Sequence, residues 1–388
     1  MVLDLWKHDH HDVGMKRSID RRRVARLAAA HLVNDVNQSA VFGILPFLVA
    51  DRGLGYAAAA GLVTASQVSS AVVQPLLGHH ADVRASRLAM PLALVTGAVA
   101  VVSIGLVGTG PATAAVFIAG VATAAFHPES TRAVRGVGGG GASTALGIYA
   151  LGGNLGTAVG PVVAAALVGT LGWGGPSVLI AVAALAAWLV VDSSRPGAAP
   201  APAALGAAHE APRWAAFASL VVVLALRAGF SACVTTFVPL YLVRMGGVAP
   251  ATAGLVLTLT LLAGVAGALV AGRLADRFGA RTVLIWVLAP LGPLLAAFTA
   301  LHGAAAVACI LCVGAGNIAP YAVAVVAAQD CLKGREGLAA GIAMGVGTAL
   351  GSLMLPVVGY IAEGESLRTA LLIAAALPVG AAVLAARR

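Results

Sequence analysis

After residue 23 the chain alternates between long apolar runs and short polar gaps. Twelve runs stand out, at about 24–49, 57–77, 88–107, 112–134, 144–167, 176–191, 214–243, 252–274, 282–300, 304–328, 339–360 and 366–386. A helix rising about 1.5 Å per residue needs ~20 residues to cross ~30 Å of hydrocarbon, and most runs have that length. The run at 176–191 is short. Helices are expected because backbone groups in lipid must be satisfied internally, and the runs lack the period-two alternation of a transmembrane barrel. The pattern predicts an all-α membrane protein with twelve transmembrane helices. The polar first 23 residues precede a run of about 26, longer than the apolar region of a signal peptide, so this run reads as a retained helix.

Composition supports the pattern. The chain has 388 residues, of which 60% are hydrophobic and 10% charged, with a mean hydropathy of +0.96. Soluble domains carry about 25% charged residues. A soluble fold with this composition would expose large apolar patches, and disordered chains are poor in apolar residues. The net charge of +9 is explained by topology. With the N-terminus inside, twenty of the 24 Lys and Arg residues fall in cytoplasmic segments. Arg52, Arg244 and Arg368 fall outside and Arg227 lies within a span. The positive-inside rule then puts both termini in the cytoplasm of a multi-pass protein of the cell membrane. Anionic lipid, not nucleic acid, accounts for the basic balance.

The stretch 192–213, rich in Pro, Ala and Gly, reads as a flexible cytoplasmic linker. It separates an N-terminal tail (1–23) and six-helix half (24–191) from a second six-helix half (214–388). Landmarks repeat between the halves. Gly272-Arg273-Leu274-Ala275-Asp276 lies 194 residues after Gly78-His79-His80-Ala81-Asp82. Pro239 follows Pro46 by 193 residues, and Pro356 follows Pro161 by 195. Two parallel halves about an axis along the membrane normal is a plan of secondary transporters.

The later copy continues Asp276-Arg277-Phe278-Gly279-Ala280-Arg281. It resembles the G-x-L-A-D-R-x-G-x-R signature between the second and third helices of each half in the major facilitator superfamily. Gly272 would permit close helix approach, Gly279 a tight turn, and Asp276 could accept from helix N-termini or basic partners. In that family the motif is a gate latch. The first copy, Gly78 to Arg87, keeps Gly78 and Asp82 but lacks the second glycine.

Ionisable residues within membrane helices are costly and mark functional candidates. At 100° per residue, His31, Asp35, Gln38 and Phe42 share one face of the first span, with Asn34 and Asn37 nearby. Such a face meets either a cavity or a neighbouring helix. Asp35 is a candidate proton carrier, because a carboxylic acid leaving water is cheaper to hold neutral. Arg227 corresponds to residue 34 at the repeat offset of 193, beside Asp35. It reads as the counter-charge of Asp35, as a fixed ion pair, or as a site for an anionic group. Phe126-His127-Pro128-Glu129-Ser130 ends the fourth span. There Pro128 should kink the helix, and Glu129 either takes part in coupling or pairs with Arg132 one turn on.

These residues, with Gly152-Gly153-Asn154-Leu155-Gly156 and Gly160-Pro161, resemble the fosmidomycin-resistance branch of the superfamily. The resemblance implies proton-driven export of a drug-like molecule, and the chain is expected to act as a monomer in the lipid bilayer, with protons and a small-molecule substrate as its partners and no cofactor. Uptake or facilitated transport of a small anionic metabolite, or a non-transporting membrane receptor, are the alternatives. The histidines of Trp6-Lys7-His8-Asp9-His10-His11-Asp12 form a polar tail that could also take a metal. Cys309 and Cys312 are spaced C-x-x-C in an apolar span and read as packing residues. No spacing in the sequence indicates a metal site, an ATPase loop or a catalytic nucleophile, so an enzyme is not expected.

Overall fold

The computed structural model describes residues 19–83, 86–138, 141–192, 211–333 and 335–387, and of residues 78–83, 142–143, 336–337 and 340 the backbone only. The N-terminal tail with its histidines and most of the linker lie outside the described residues. Those described are almost wholly helical: α1 (Arg21–Arg52), α2 (Tyr56–Val83), α3 (Ala89–Ile104), α4 (Thr109–Gly138), α5 (Ala142–Leu171), α6 (Val178–Val190), α7 (Trp214–Arg244), α8 (Pro250–Phe278), α9 (Ala280–Leu288), α10 (Leu291–Ala300), α11 (Gly303–Cys331), α12 (Glu336–Gly341), α13 (Gly347–Ser352), α14 (Leu355–Gly364) and α15 (Leu367–Ala386). Ten helical stretches among these residues are long and apolar enough to cross a membrane. The chain is a multi-pass membrane protein.

Local chemistry sets several boundaries. Asp20 caps α1 by accepting the Arg23 N–H at 3.1 Å, and Gly53 ends it at φ 63°. Pro290 separates α9 from α10, where it cannot donate to a helical ladder. Pro128 lies inside α4, which continues ten residues further to Gly138. α12, a π-helical turn at Ile342–Val346 and α13 follow one another without a break, and a two-residue turn at Leu353 and Met354 leads into α14.

The same packing scheme occurs before and after the linker. α1 packs on α5, α2 on α4, and α3 on α4 and α6. Correspondingly α7 packs on α13, α8 on α11, and the α9–α10 pair on α11 and α15. Elements on the two sides of the linker meet mainly along α2 with α13–α14 and along α5 with α8. At the first seam Thr64 Oγ1 donates to the Ser352 carbonyl at 3.0 Å, and the Ala57 N–H donates to Glu363 Oε2 at 3.3 Å. At the second the Val162 N–H donates to Thr258 Oγ1 at 3.2 Å. These contacts cluster where α2 and α8 begin and α5 ends.

Without a hydrophobic drive between helices in lipid, close association rests on small residues that let backbones touch. α5 presents Gly152, Gly156 and Gly160 to α1. A Cβ on these glycines would strike the Ala28 carbonyl, the Leu32 carbonyl and the Ser39 side chain, respectively. Gly147 on the same helix faces open space. Replacing Gly156 by Leu forces the α1 backbone away and should cost about 3 kcal/mol. Gly147→Ala should be neutral or slightly stabilising. Thermal unfolding of the two variants in detergent checks this; equal melting temperatures would refute the assignment of the α1–α5 contact.

Candidate functional site

Asp35 lies at the middle of α1 and is only 7% exposed. A buried carboxylate needs donors, and the surrounding helices supply them. Asn34 Nδ2 donates to Oδ1 at 2.9 Å, and Thr157 Oγ1 of α5 donates to Oδ2 at 3.2 Å. His31, one turn earlier on α1, places Nε2 3.5 Å from Oδ2. His127 of α4 brings Nε2 to 3.9 Å from Oδ1. Asp35 therefore sits between two imidazoles.

The His31 ring is held on several sides. Its Nδ1 lies 2.9 Å from the Tyr149 carbonyl. A carbonyl only accepts, so Nδ1 carries the hydrogen. The Tyr149 ring stacks on the imidazole at 4.0 Å and 17°, while His127 meets it edge-on at 5.2 Å. The Tyr149 hydroxyl is in turn hydrogen-bonded to Ser130 Oγ. Gly153 lies directly against the imidazole, where a Cβ would overlap it. With Nδ1 committed, Nε2 of a neutral His31 turns a lone pair toward the carboxylate. One proton on Nε2 or on Asp35 converts that contact into an attraction.

The cluster opens on a cavity of about 770 Å³. His31, Asp35, Gln38, Gln67, Gln74, His127, Asn154 and Thr157 line it from one side of the linker, and Tyr321, Met344 and Thr348 from the other. The π-helical turn contributes Met344 and Gly345, which places irregular backbone at the cavity wall. A smaller space of about 130 Å³ beyond Gln38 is lined by Phe42, Ser66 and Gln67. The predicted face of α1 thus meets a cavity at His31, Asp35 and Gln38. Asn34 is buried beside Asp35, and Asn37 is buried with no hydrogen-bond partner among the described residues.

Arg227 and Glu129 each take partners other than the cavity cluster. Arg227 makes no ion pair with Asp35. Its Nε donates to the Asn317 carbonyl at 2.8 Å, and its guanidinium lies 5.4 Å from the Tyr321 ring centre. The repeat offset aligns positions along helices α1 and α7 but does not bring these two side chains together. Glu129 does not line the cavity. Its Oε2 lies 2.6 Å from Arg132, as the one-turn spacing allowed, and its Oε1 accepts the Ser86 N–H at 3.2 Å. Glu129 therefore ties α4 to the segment between α2 and α3.

In the motif regions, Gly279 turns the chain between α8 and α9 at φ 83°, as expected for its position. Arg281 donates to the Ala386 carbonyl. Arg277 lies over the Phe278 ring at 5.1 Å. Asp276 is exposed, with no ion pair to a described residue. A Cβ on Gly272 would meet nothing within 4 Å, so Gly272 is not a close-approach point in this conformation. Gly78 and Asp82 fall at the end of α2, and the Asp82 side chain lies outside the described residues.

A multi-pass helical bundle whose buried polar cluster opens on a large internal cavity has the architecture of a membrane transporter. The chain belongs to the Major Facilitator Superfamily, whose family model matches residues 27–247 and 226–388. It is a membrane transporter of that superfamily and not an enzyme. It is 26% identical over 364 residues to the fosmidomycin resistance protein of Escherichia coli (strain K12), covering 91% of this chain and 89% of that protein. It is 25% identical over 374 residues to an uncharacterised MFS-type transporter of Bacillus subtilis (strain 168), with coverages of 91% and 89%. In fold it is similar to a bacterial homologue of the human lysosomal transporter Spinster in an inward-facing, occupied conformation. That similarity has a TM-score of 0.77 at 16% identity and covers 94% of this chain and 96% of that one.

Tyr149, Thr157, Gln67 and Tyr321 are site residues that the sequence pattern does not single out. Thr157 follows a glycine-rich stretch, and Tyr149 contributes through its backbone carbonyl as much as its ring. The buried Glu129–Arg132 pair yields a stability prediction. Arg132→Ala leaves a buried carboxylate unpaired and should cost about 3 kcal/mol, with most of it regained in the Glu129→Gln, Arg132→Ala double variant. Denaturation of the three proteins in one detergent measures it, and a double variant no better than the single one would contradict it.

Proposed function

We propose that this protein is a proton-coupled exporter of small amphipathic molecules, working by alternating access in the cell membrane. In this reading twelve spans form two six-helix halves, 24–191 and 214–388, joined by the cytoplasmic segment 192–213, with both termini cytoplasmic. The count fits the ten apolar stretches: Thr144–Val190 contains both α5 and α6, and the shorter Ala89–Ile104 adds one more. The repeated packing scheme fits two halves. The observation that carries the functional reading is the His31–Asp35–His127 cluster, buried at His31 and Asp35 and half-buried at His127, open to a cavity lined from both halves. The fosmidomycin resistance protein, similar along most of its length, supports a drug-like cargo.

The seams along α2 with α13–α14 and α5 with α8 lie toward the outer face in this topology, and the cavity lies toward the cytoplasm. That is an inward-open state. Proton entry from outside would require the seams to part and His31 and Asp35 to meet external water. A pH unit of gradient supplies about 1.4 kcal/mol per proton, and 100 mV about 2.3 kcal/mol per charge. Gln38, Gln67, Gln74 and Asn154 add neutral polar contacts to the ionisable cluster, and Ala71, Pro75, Ala150 and Met344 add apolar surface, which together suit an amphipathic solute. Gly272, Asp276, Arg277, Gly279 and Arg281, with Gly78 and Asp82, are the proposed cytoplasmic gate.

A second reading, transport of a small anion, draws on Arg227. Among the described residues it has no carboxylate partner, and it lies against Tyr321 at the cavity wall.

Reconstitution in vesicles with an imposed pH gradient tests both. Amphipathic solutes should accumulate against their gradient with movement of protons. In Asp35→Asn the solute ratio should fall to about one, because an uncoupled carrier only equilibrates its cargo. Solute exchange should persist. Unchanged accumulation in Asp35→Asn, or wild-type transport that ignores the pH gradient, would sink the proton-coupled reading. Loss of anion transport in Arg227→Gln with amphipath transport retained would favour the second.

A further inference from the structure

The three side chains at the cavity are also a set of metal ligands. His31 Nε2, an Asp35 carboxylate oxygen and His127 Nε2 lie within 4.8 Å of one another, although residues 31 and 127 are far apart in sequence. In a tetrahedral site with bonds of about 2.1 Å, neighbouring donor atoms stand roughly 3.4 Å apart. His31 Nε2 stands 3.5 Å from Asp35 Oδ2 and His127 Nε2 3.9 Å from Oδ1, so each imidazole has one carboxylate oxygen near that value. To hold one ion the carboxylate must bind through both oxygens or turn one toward both rings, and the imidazoles must close from within 4.8 Å. His127 has the least enclosed side chain of the three, so its ring is the one free to turn.

The surroundings resemble those of metal ligands more than those of an incidental polar contact. Ligating histidines usually donate their second ring N–H to a carbonyl or carboxylate, which sets the tautomer and aims the free nitrogen. His31 does this through Nδ1 and the Tyr149 carbonyl. Stacking on Tyr149 and the tight contact with Gly153 hold the ring in that orientation. Asn34 and Thr157 orient the carboxylate in the same way. The cluster borders the cavity, so an ion has an approach path and room for a water or solute to complete its shell.

We propose that His31, Asp35 and His127 bind one divalent first-row transition ion of the Zn²⁺ class, entering from the central cavity and bridging α1 and α4. Two imidazoles and one carboxylate suit Zn²⁺, Co²⁺, Ni²⁺ or Cu²⁺ over Mg²⁺ or Ca²⁺. The site rests on ligand geometry and goes beyond the transport reading. A bound ion occupies the lone pairs which that reading assigns to the coupling proton.

The test uses untagged full-length protein in detergent, carrying His8→Ser, His10→Ser and His11→Ser so that the N-terminal histidines do not contribute. Zn²⁺ binding is followed by calorimetry and Co²⁺ binding by visible absorption. One ion per chain is expected. His31→Gln, Asp35→Asn and His127→Gln should each weaken binding at least about tenfold, and Cys309→Ser with Cys312→Ser should leave it unchanged. X-ray absorption of the Zn²⁺-loaded protein needs none of the three ligand variants to fold. It should show imidazole nitrogen and carboxylate oxygen at about 2.0–2.2 Å. Absence of stoichiometric binding, a sulfur shell, or affinity unaltered in all three ligand variants would overturn the site. Failure to bind metal in protein that still transports with protons would overturn this proposal alone. Metal binding in protein that moves no protons would overturn only the transport reading.

Discussion

A carboxylate in the apolar middle of a membrane helix is tolerated only if its neighbours donate to it, and Asp35 imposes that condition on the surrounding bundle. Asn34 of α1 and Thr157 of α5 donate to Asp35, His31 of α1 and His127 of α4 flank it, and the Tyr149 carbonyl of α5 accepts from His31 in turn. None of these contacts spans more than about one side-chain length, so the three helices must approach closely. The glycines of α5 make that approach possible, and Gly153 leaves the volume in which the His31 ring lies. The packing of α1 on α5 and the chemistry of the cavity are therefore one requirement met by one set of residues.

The second constraint concerns where the bundle closes. The seams between elements on the two sides of the linker are sealed by small residues and by a few hydrogen bonds through side-chain groups, among them Thr64 to Ser352, Thr258 from Val162, and Glu363 from Ala57. These are modest interactions of the order of 1 kcal/mol each. Contacts of that size can be exchanged for others as a transporter changes state. The buried Glu129–Arg132 pair is of another kind. It lies within one side of the bundle and fastens α4 to the turn before α3, so it can persist while the seams open.

The helical, membrane-spanning character of the chain was legible in its hydrophobic pattern, because the cost of bare backbone polar groups in lipid leaves few alternatives. The boundaries followed nearly as well, down to the turn at Gly279. The candidate face of α1 was legible too, since helical periodicity alone groups His31, Asp35 and Gln38. Of the readings for Arg227, the pairing with Asp35 is not formed: an offset along the sequence indicates equivalent depth, but the direction of a side chain depends on the rotation of its helix. For Glu129 the spacing allows coupling or pairing, and the fold shows the pairing, with Arg132 and Ser86 around its oxygens.

What the sequence determined by itself was which residues enter the membrane, because the transfer cost of each side chain is a local property. It also singled out the few charges that had to be functional or paired. Only the tertiary structure decided the pairings. His127 reaches Asp35 from a helix some ninety residues away, and a tyrosine carbonyl with no sequence signature dictates which nitrogen of His31 faces the carboxylate. Such relations depend on distance and orientation between separate helices, which are set by the packing of glycines against backbone and leave no pattern in any single span.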